Sequence, residues 1–455
     1  MKDKHAIDMT HGPLLGKILR FSLPLMAANL LQLLFNAADV VVVGQFAGSE
    51  SLAAVSSTTC VIYLVTNLMI GIAVGVNVLL AHYIGLGGHE KEISRAIHTA
   101  VSVAVLGGIV FAAIGIASSN WMLGVMSVPE NVRPLARVYL RIYYLGTPFL
   151  LLYNYGNAAL RAKGDTRDPL IFMIVSGCIN IVLNLVFVIC FHLNVVGVGA
   201  ATVISQIVSA ALILICLGRS QDAFHFSWRK LCLDKRCLYT MARIGIPSGV
   251  QACLFSLSNV VIQGAINLFG SAVIAGVGAA ESIEGLLYTS MNTFHQACQT
   301  FISQNLGAKQ YRRVNRVMRT CLLCTLVLGI TQSALTCVFA HQLISIYNTD
   351  PAVVAAGAER LWIVASVYVI FGLADVLVGG IRGCGMSIAP MLINLLGTCV
   401  LRLVWVAVLD VQAAGVEMVY LSYPFTWAVI LIAFGAFWLR LRKKGFDTLH
   451  TMDRA

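Results

Sequence analysis

The sequence predicts an all-α polytopic membrane protein in which twelve transmembrane helices form two six-helix lobes, related by a parallel internal repeat. Composition is the first observation behind this prediction. Of the 455 residues, 58% are hydrophobic and only 11% are charged, whereas soluble domains carry about 25% charged residues. The apolar residues also fall in runs of about 20, the length that crosses a bilayer as a helix. The third observation is that the second half of the chain repeats motifs of the first.

The apolar runs define the twelve elements. Those of the first half cover roughly residues 20–44, 53–80, 96–117, 136–158, 169–190 and 198–217. Those of the second half cover roughly residues 243–268, 275–302, 319–340, 358–379, 390–410 and 416–439. The one long charged connection lies between the two sets. We therefore expect a first lobe over 1–217, a cytoplasmic linker over 218–242, a second lobe over 243–440 and a cytoplasmic tail over 441–455.

The internal repeat relates the two halves at a nearly constant spacing. Pro24 recurs as Pro247, 223 residues later, and Arg161 recurs as Arg382, 221 residues later. The other pairs are Phe46 with Phe269, Gly85 with Gly307, Gly164 with Gly385, and Pro169 with Pro390. Duplicated halves in the membrane are typical of secondary transporters, whose two halves can rock against each other around a cleft.

The distribution of positive residues indicates the orientation. Of the 31 lysines and arginines, 26 fall in the termini and alternate loops that share one predicted side. Arg133, Arg137, Arg141 and Arg360 fall on the other side, and only Arg402 falls inside a span. Cytoplasmic loops are enriched in Lys and Arg, so we expect both termini in the cytoplasm and the protein in the inner or plasma membrane. Because the charges lie in short loops, the net charge of +11 does not indicate a nucleic-acid partner.

Short loop motifs are the most specific features of the chain. They are Arg161-Ala-Lys-Gly-Asp-Thr-Arg-Asp-Pro169, its repeat Arg382-Gly-Cys-Gly-Met-Ser-Ile-Ala-Pro390, and Phe301-Ile-Ser-Gln-Asn-Leu-Gly-Ala-Lys309. With Gly12-Pro13, Pro24 and the region of Asp39, they make nearly the whole chain resemble the multidrug and toxic compound extrusion (MATE) family of cation-coupled exporters. The resemblance implies a bilobed, alternating-access transporter of small organic substrates. It would need no cofactor besides its coupling ion, H⁺ or Na⁺, and would function as a monomer.

Asp39 is the first candidate for the coupling site. Asn29, Gln32, Asn36 and Asp39 are spaced by 3, 4 and 3 residues, so they share one face of an apolar helix. Charged groups inside a membrane are costly and mark function by default. A desolvated carboxylate beside amides can hold a proton, and the same oxygens suit Na⁺. The resemblance implies that the acid at this position binds the coupling ion. At the repeat offset Asp39 falls on Ile262, so the site is expected in the first lobe alone.

The fifth and sixth spans offer further oxygens for this site. Asn180 and Asn184 lie one turn apart on one face, and the resemblance implies that these positions complete the site around Asp39. The family uses an acid at one of them, so Asn184 removes a carboxylate from a two-acid proton relay. Thr202 is an additional candidate ligand. The alternative is that the asparagines only hydrogen-bond neighbouring helices.

A polar stripe in the second half is the candidate substrate surface. Glu284, Tyr288, Asn292 and His295 recur at helical spacing, with Glu281 and Gln299 at its ends. With Gln32 of the first half, they are predicted to line the cleft, although Glu281 can equally be a solvated end. Asp375 is also predicted to meet substrate in the cleft; it either forms a second cation site, as the resemblance to Na⁺-coupled relatives implies, or pairs with Arg402 as a structural contact.

These observations predict an antiporter that exports amphipathic, cationic organic compounds in exchange for H⁺ or Na⁺. No GxxxxGK[ST] loop is present, which argues against a nucleotide-driven pump. A flippase for lipid-linked saccharides is one alternative, and it would need cationic side chains along the cleft. An intramembrane enzyme is the other, and it would need a nucleophile–base pair or a motif such as HExxH within the spans. A channel stays open as a third alternative.

Overall fold

A computed structural model describes residues 6–126, 128–408 and 415–448, and in this part of the chain helices joined by short turns are present without any strand. The first half contains α1 (Leu14–Phe46), α2 (Ser49–Leu86), α3 (Glu90–Val125), α4 (Arg133–Leu145), α5 (Thr147–Lys163), α6 (Arg167–Leu185) and α7 (Asn194–Arg219). The second half contains α8 (Lys235–Ile266), α9 (Ser271–Gly307), α10 (Tyr311–Val338), α11 (Ala340–Ser345), α12 (Pro351–Val364), α13 (Tyr368–Gly383), α14 (Ile388–Asn394), α15 (Leu401–Val408) and α16 (Val416–Lys444). The last two residues of predicted span 390–410 and residues 449–455 of the expected tail lie outside the described residues.

All twelve predicted spans are found as helices. Ten helical segments of the described chain are long and apolar enough to cross a membrane, judged by length and composition. The other two are predicted span 136–158, which consists of α4 and α5, and predicted span 275–302, which is α9 with its polar stripe. Most helices extend past at least one predicted bound because their polar ends stay helical beyond the apolar run, and α9 reaches 37 residues.

Matching interruptions occur in the two halves. Gly146 separates α4 from α5, and a 3₁₀ turn at Ala365–Val367 separates α12 from α13 at the repeat-related place. In the next span of each half, a π-helical segment follows α6 at Val186–Cys190, and another divides α14 from α15 at Leu395–Val400. Such segments inside helices are frequent at functional sites. Asn184 and Arg402 flank them, each two residues away.

The chain divides into two compact units, and two of the limits between them lie within helices. The first contains Ala27–Gly245, and the second contains Met9–Met26 together with the chain from Ile246 onward. Both limits lie within three residues of a repeated proline inside a helix, Pro24 in α1 and Pro247 in α8. Proline removes a helical hydrogen bond and crowds the preceding turn, so each helix has a weak point where it passes from one unit to the other.

The first unit packs α2, α3, α5 and α7 around a core of aliphatic and aromatic side chains. A motif loop closes α5 at Gly164, whose φ of +94° lies in the left-handed region. The backbone N–H of Ile7 donates to the Gly164 carbonyl at 3.3 Å. A Cβ at Gly164 would lie 2.6 Å from the Ile7 carbonyl oxygen. Its repeat partner Gly385 also has a positive φ, +78°, so both motif loops need glycine for their turn.

The linker packs against the first unit at the start of α8. The Asp234 carboxylate accepts hydrogen bonds from the backbone N–H groups of Cys237 at 3.1 Å and Arg236 at 3.0 Å, which caps the helix. Its own N–H donates to Thr99 Oγ1 at 3.1 Å. The bonds from Cys237 and Arg236 hold the pKa of the Asp234 carboxyl below its usual value.

The second unit packs α10, α12 and α13 around α9. The segment Met9–Met26 also belongs to it. Arg313 donates to three backbone carbonyls of this segment: Nε to Met9 at 3.2 Å, Nη2 to His11 at 2.8 Å and Nη1 to Gly12 at 2.9 Å. The ring of Phe21 packs edge-on against Phe301 at a centroid distance of 5.6 Å.

Candidate functional site

The first unit brings Asp39 together with both asparagines of α6. Asn184 Nδ2 donates to Asp39 Oδ1 at 2.6 Å and also lies 3.3 Å from Asn180 Oδ1. Asn184 is fully buried and Asn180 is 6% exposed. The two helices can approach because Gly177, in α6, faces Phe35 of α1, where any Cβ would overlap the ring. The site is therefore a carboxylate held by a buried amide, with a second amide one turn away.

One oxygen of this cluster has no hydrogen-bond donor. Asn184 Oδ1 is buried and unpartnered among the described residues. The amide uses its nitrogen on Asp39 and Asn180, so its oxygen is the acceptor left over. Carboxylate and amide oxygens are the ligands that hard cations prefer. The residues present therefore suit either a proton on Asp39 or a small hard cation held by Asp39 and the two amides.

Two other residues assigned to the first site by sequence, Asn36 and Thr202, form hydrogen bonds outside this cluster. Asn36 Oδ1 accepts a hydrogen bond from Gln32 Nε2 at 3.2 Å along the same helix face. The Thr202 hydroxyl donates to the Val198 carbonyl of its own helix at 3.0 Å. Sequence reasoning missed Tyr139 of α4, which is 7% exposed and within electrostatic range of Asp39. Tyr139 and Tyr143 are four residues apart and so share one helix face. That spacing was the feature of the sequence that could have indicated Tyr139.

The second unit brings three of the predicted residues, His295, Asn292 and Tyr288, together around Asp375. His295 Nδ1 lies 3.1 Å from Asp375 Oδ1 and 2.7 Å from the Asp375 backbone carbonyl. Asn292 Nδ2 donates to Asp375 Oδ2 at 3.0 Å and lies 3.1 Å from the hydroxyl of Tyr288. Both neighbours of His295 Nδ1 are acceptors, so this nitrogen carries the proton. Gly379 makes the approach of α13 to α9 possible, because its Cβ would lie 2.5 Å from the His295 carbonyl oxygen.

Asp375 and Arg402 do not pair. The acid contacts His295 and Asn292, while Arg402 donates to Thr426 at 3.2 Å and stacks over the Tyr423 ring at 4.1 Å. The alternative of a structural Asp375–Arg402 pair is therefore wrong. The reason is that Asp375 faces α9, where the histidine and the asparagine already occupy both of its oxygens.

Glu284 forms a buried ion pair with Arg360. Arg360 Nε donates to Glu284 Oε1 at 2.9 Å and Nη2 donates to Oε2 at 3.0 Å, a bidentate geometry. Arg360 Nη2 also lies 3.2 Å from Glu281, whose side chain is 45% exposed. Arg360 lies in α12, which begins at Pro351 and buries its side chain to 1% exposure. The Glu284 carboxylate is thus compensated within the protein.

Aromatic side chains line the same region of the second unit. The Trp427 ring packs against Tyr368, Phe371 and Tyr423 at centroid distances of 5.0, 5.2 and 5.7 Å. Phe371 also packs against Tyr288 at 5.7 Å. This group provides flat apolar faces beside the polar Asp375 and Arg360 clusters, an arrangement that suits amphipathic ring compounds.

Comparison with known proteins gives a consistent result. The family model MatE matches residues 24–186 and 247–408, one match in each half. The chain is 28% identical over 439 residues to the probable multidrug resistance protein YoeA of Bacillus subtilis, covering 94% of each chain. It is 26% identical over 447 residues to a FAD transporter of Shewanella oneidensis, covering 95% of this chain and 96% of the relative.

A solved structure shares the fold. It is a MOP-superfamily transporter from Pyrococcus furiosus, for which a reverse polarity of the binding pocket has been taken to suggest a different function. It superposes with a TM-score of 0.89 at 21% identity, and the match covers 98% of this chain and all of the other.

Proposed function

Because the chain belongs to the MatE family of multidrug efflux transporters, which are membrane transporters and not enzymes, we propose that it exports amphipathic organic compounds in exchange for H⁺ or Na⁺. Family membership establishes a multi-pass transporter of small substrates with ion coupling and no further cofactor. The direction, the ion and the substrate class are the content of the proposal.

One observation carries the ion-coupling proposal: the contact between Asp39 and Asn184. A carboxylate in a membrane helix is costly unless it is protonated, paired or coordinated to a cation. Asp39 has no cationic partner among the described residues and is held by an amide instead. Binding of H⁺ or Na⁺ would neutralise the Asp39 carboxylate. The ion-free, charged Asp39 and the ion-bound, neutral Asp39 therefore favour different environments.

Substrate would bind to the second unit. The Asp375 network supplies a partly buried negative charge, and the rings around Trp427 supply apolar faces. This combination supports amphipathic cations as one substrate class. A coupling between ion and substrate of about 1.4 kcal/mol changes affinity tenfold.

The membrane setting follows from the same argument. We propose that the protein lies in the inner or plasma membrane with both termini cytoplasmic, supported by the 26 of 31 Lys and Arg residues on one predicted side. We propose that one chain suffices for transport, because it contains both repeats.

Efflux from proteoliposomes tests the proposal. The protein would be reconstituted into liposomes, and these would be loaded with a cationic dye. Dye efflux would then be driven in separate runs by an imposed proton gradient and by an imposed sodium gradient. We expect one gradient to drive efflux and Asp39→Asn to abolish that response. Glu90→Gln serves as the matched control, because Glu90 is an exposed acid at the start of α3. Normal coupling in Asp39→Asn would move the ion site elsewhere. Lack of any gradient-driven efflux, with translocation of a lipid-linked saccharide, would favour the flippase alternative.

A further inference from the structure

A buried arginine in the membrane-spanning part of the second unit lacks a counter-charge. Arg402 is fully buried in α15. Its Nη2 donates to Thr426 Oγ1 at 3.2 Å, but its Nε and Nη1 have no acceptor within the described chain. None of the carboxylates in that part of the chain lies within ion-pair distance of it. A charge in this position is costly without a partner, and an anionic partner from outside the described chain would remove that cost.

Three further donors near Arg402 are also unsatisfied. Arg360 Nη1, the Tyr420 hydroxyl and Trp427 Nε1 have no hydrogen-bond partner among the described residues, and each side chain is at most 3% exposed. Arg360 and Trp427 belong with Arg402 because all three surround the Tyr423 ring, and Tyr420 belongs with them because the Arg360 guanidinium lies 5.6 Å from its ring centre. The guanidinium of Arg402 lies 4.1 Å from the Tyr423 ring centre and that of Arg360 lies 5.2 Å away, while the Trp427 ring is at 5.7 Å.

The two arginines of this cluster differ in whether their charge is compensated. Arg360 is compensated by Glu284 and Glu281, so it offers a hydrogen bond through Nη1 but little net charge. Arg402 has no such compensation and supplies the free positive charge. What the cluster lacks is acceptors, because each of the four side chains has at least one N–H or O–H group without a matching oxygen among the described residues. A negatively charged oxygen group is the chemical complement.

The surroundings indicate what the rest of the ligand looks like. Trp427 packs against Phe371 at 5.2 Å and Tyr368 at 5.0 Å, so the donors lie at the edge of an aromatic group. We propose that Arg402, with Arg360, Tyr420 and Trp427, is a subsite for the carboxylate or phosphate of an aromatic organic anion. The suggestion that this anion is transported rests on the export function proposed above. The suggestion that the anion binds at this subsite does not depend on that function.

The repeat supports this assignment through its asymmetry. At the 221-residue offset of the motif loops, Arg402 corresponds to Ile181 and Arg360 corresponds to Tyr139. The first unit therefore has no equivalent of these guanidiniums. Conversely, the acid at Asp39 corresponds to Ile262. Asp39 and Arg402 thus each occupy a place where the other half of the chain has an isoleucine.

Calorimetric binding to the full chain, purified in detergent, tests the subsite without any ion gradient. The probes are 2-naphthoate, 1-naphthyl phosphate, neutral 2-naphthol and inorganic phosphate. We expect the two aromatic anions to bind and Arg402→Gln to weaken them by about tenfold or more, the order expected for loss of a charge-assisted contact. Arg440→Gln, which alters an exposed arginine of α16, is the control and should bind like the wild type. Binding of 2-naphthol should be weak and unchanged.

Two outcomes would overturn the proposal. One is equal anion binding by the wild type and Arg402→Gln. The other is binding of inorganic phosphate as tightly as the aromatic anions, which would make the site a holder of an inorganic ion. Comparison of the naphthoate with the phosphate ester identifies the preferred oxygen group.

A second variant covers the case in which Arg402→Gln does not fold. Tyr420→Phe keeps the ring and removes only the hydroxyl donor, and we expect it to weaken anion binding several-fold; unchanged binding in this variant would refute the subsite. Loss of anion binding leaves proton- or sodium-driven dye export through Asp39 intact, so failure of this proposal and failure of the export proposal are separable.

Discussion

Removing the carboxylate of Glu284 tests whether this residue is structural. In Glu284→Gln the Arg360 guanidinium loses its bidentate partner, whose two bonds measure 2.9 and 3.0 Å. Removing one member of a buried ion pair costs about 3–5 kcal/mol, because the other charge stays buried. Glu281, 3.2 Å away and half exposed, compensates part of that charge. We therefore expect a loss near the lower end, about 3 kcal/mol of unfolding free energy.

The matched control is the double variant Glu284→Leu with Arg360→Met, which removes both charges and keeps apolar volume. Replacing a whole buried pair in this way is often neutral or stabilising, so the double variant should recover most of the loss. Denaturant unfolding of the detergent-solubilised protein is the measurement. If Glu284→Gln unfolds within about 1 kcal/mol of the wild type yet loses export of a cationic dye, the carboxylate serves the substrate and the structural reasoning is refuted.

Two smaller changes test the loops. Gly164→Ala should destabilise the protein by about 1–3 kcal/mol, because a residue with a Cβ would have to adopt the left-handed conformation and approach the Ile7 carbonyl. Gly107→Ala, at a position with open space around it, is the control and should be neutral or stabilising. Equal unfolding free energies for the two variants would contradict the proposed strain. Asp234→Ala should cost about 0.5–2 kcal/mol through loss of the cap of α8. The N–H groups of Cys237 and Arg236 lower the pKa of the Asp234 carboxyl in the folded protein. The stabilisation by this carboxylate is therefore fully present at neutral pH. It is lost as the pH falls below the usual pKa of about 3.9 and through the lower pKa of the folded state. A wild-type-minus-variant difference that persists under those acidic conditions would contradict this.

The number of spans could be predicted from sequence because run length alone decides it in a bilayer. Gly146 was harder: the break between α4 and α5 is signalled by Gly146-Thr147-Pro148, but a single apolar run covers both helices. The partner of Arg360 could not be predicted, because Glu284 lies 76 residues away and hydropathy carries no information on which faces meet.

The contacts of the polar residues could likewise be predicted from the sequence only in part. Asp39 and Asn184 are 145 residues apart, and only the resemblance of the motifs placed them near one another; their role in coupling stays a prediction. Asp375 had two possible partners in the sequence, Arg402 and the stripe of α9. The choice depends on Gly379, which lets α13 approach the backbone of His295, and packing distances of this kind are not visible in a residue pattern.

The inclusion of Met9–Met26 in the second unit has a consequence for biosynthesis. This segment leaves the ribosome first, yet its partner Asn305, which donates to the Met9 carbonyl, is made 296 residues later. At about 5–20 residues per second this is a wait of roughly 15–60 s. During that interval the start of α1 must be inserted without its packing surface. A gene cut within the linker would deliver this segment on the wrong fragment, so the second half expressed alone would lack part of its own core.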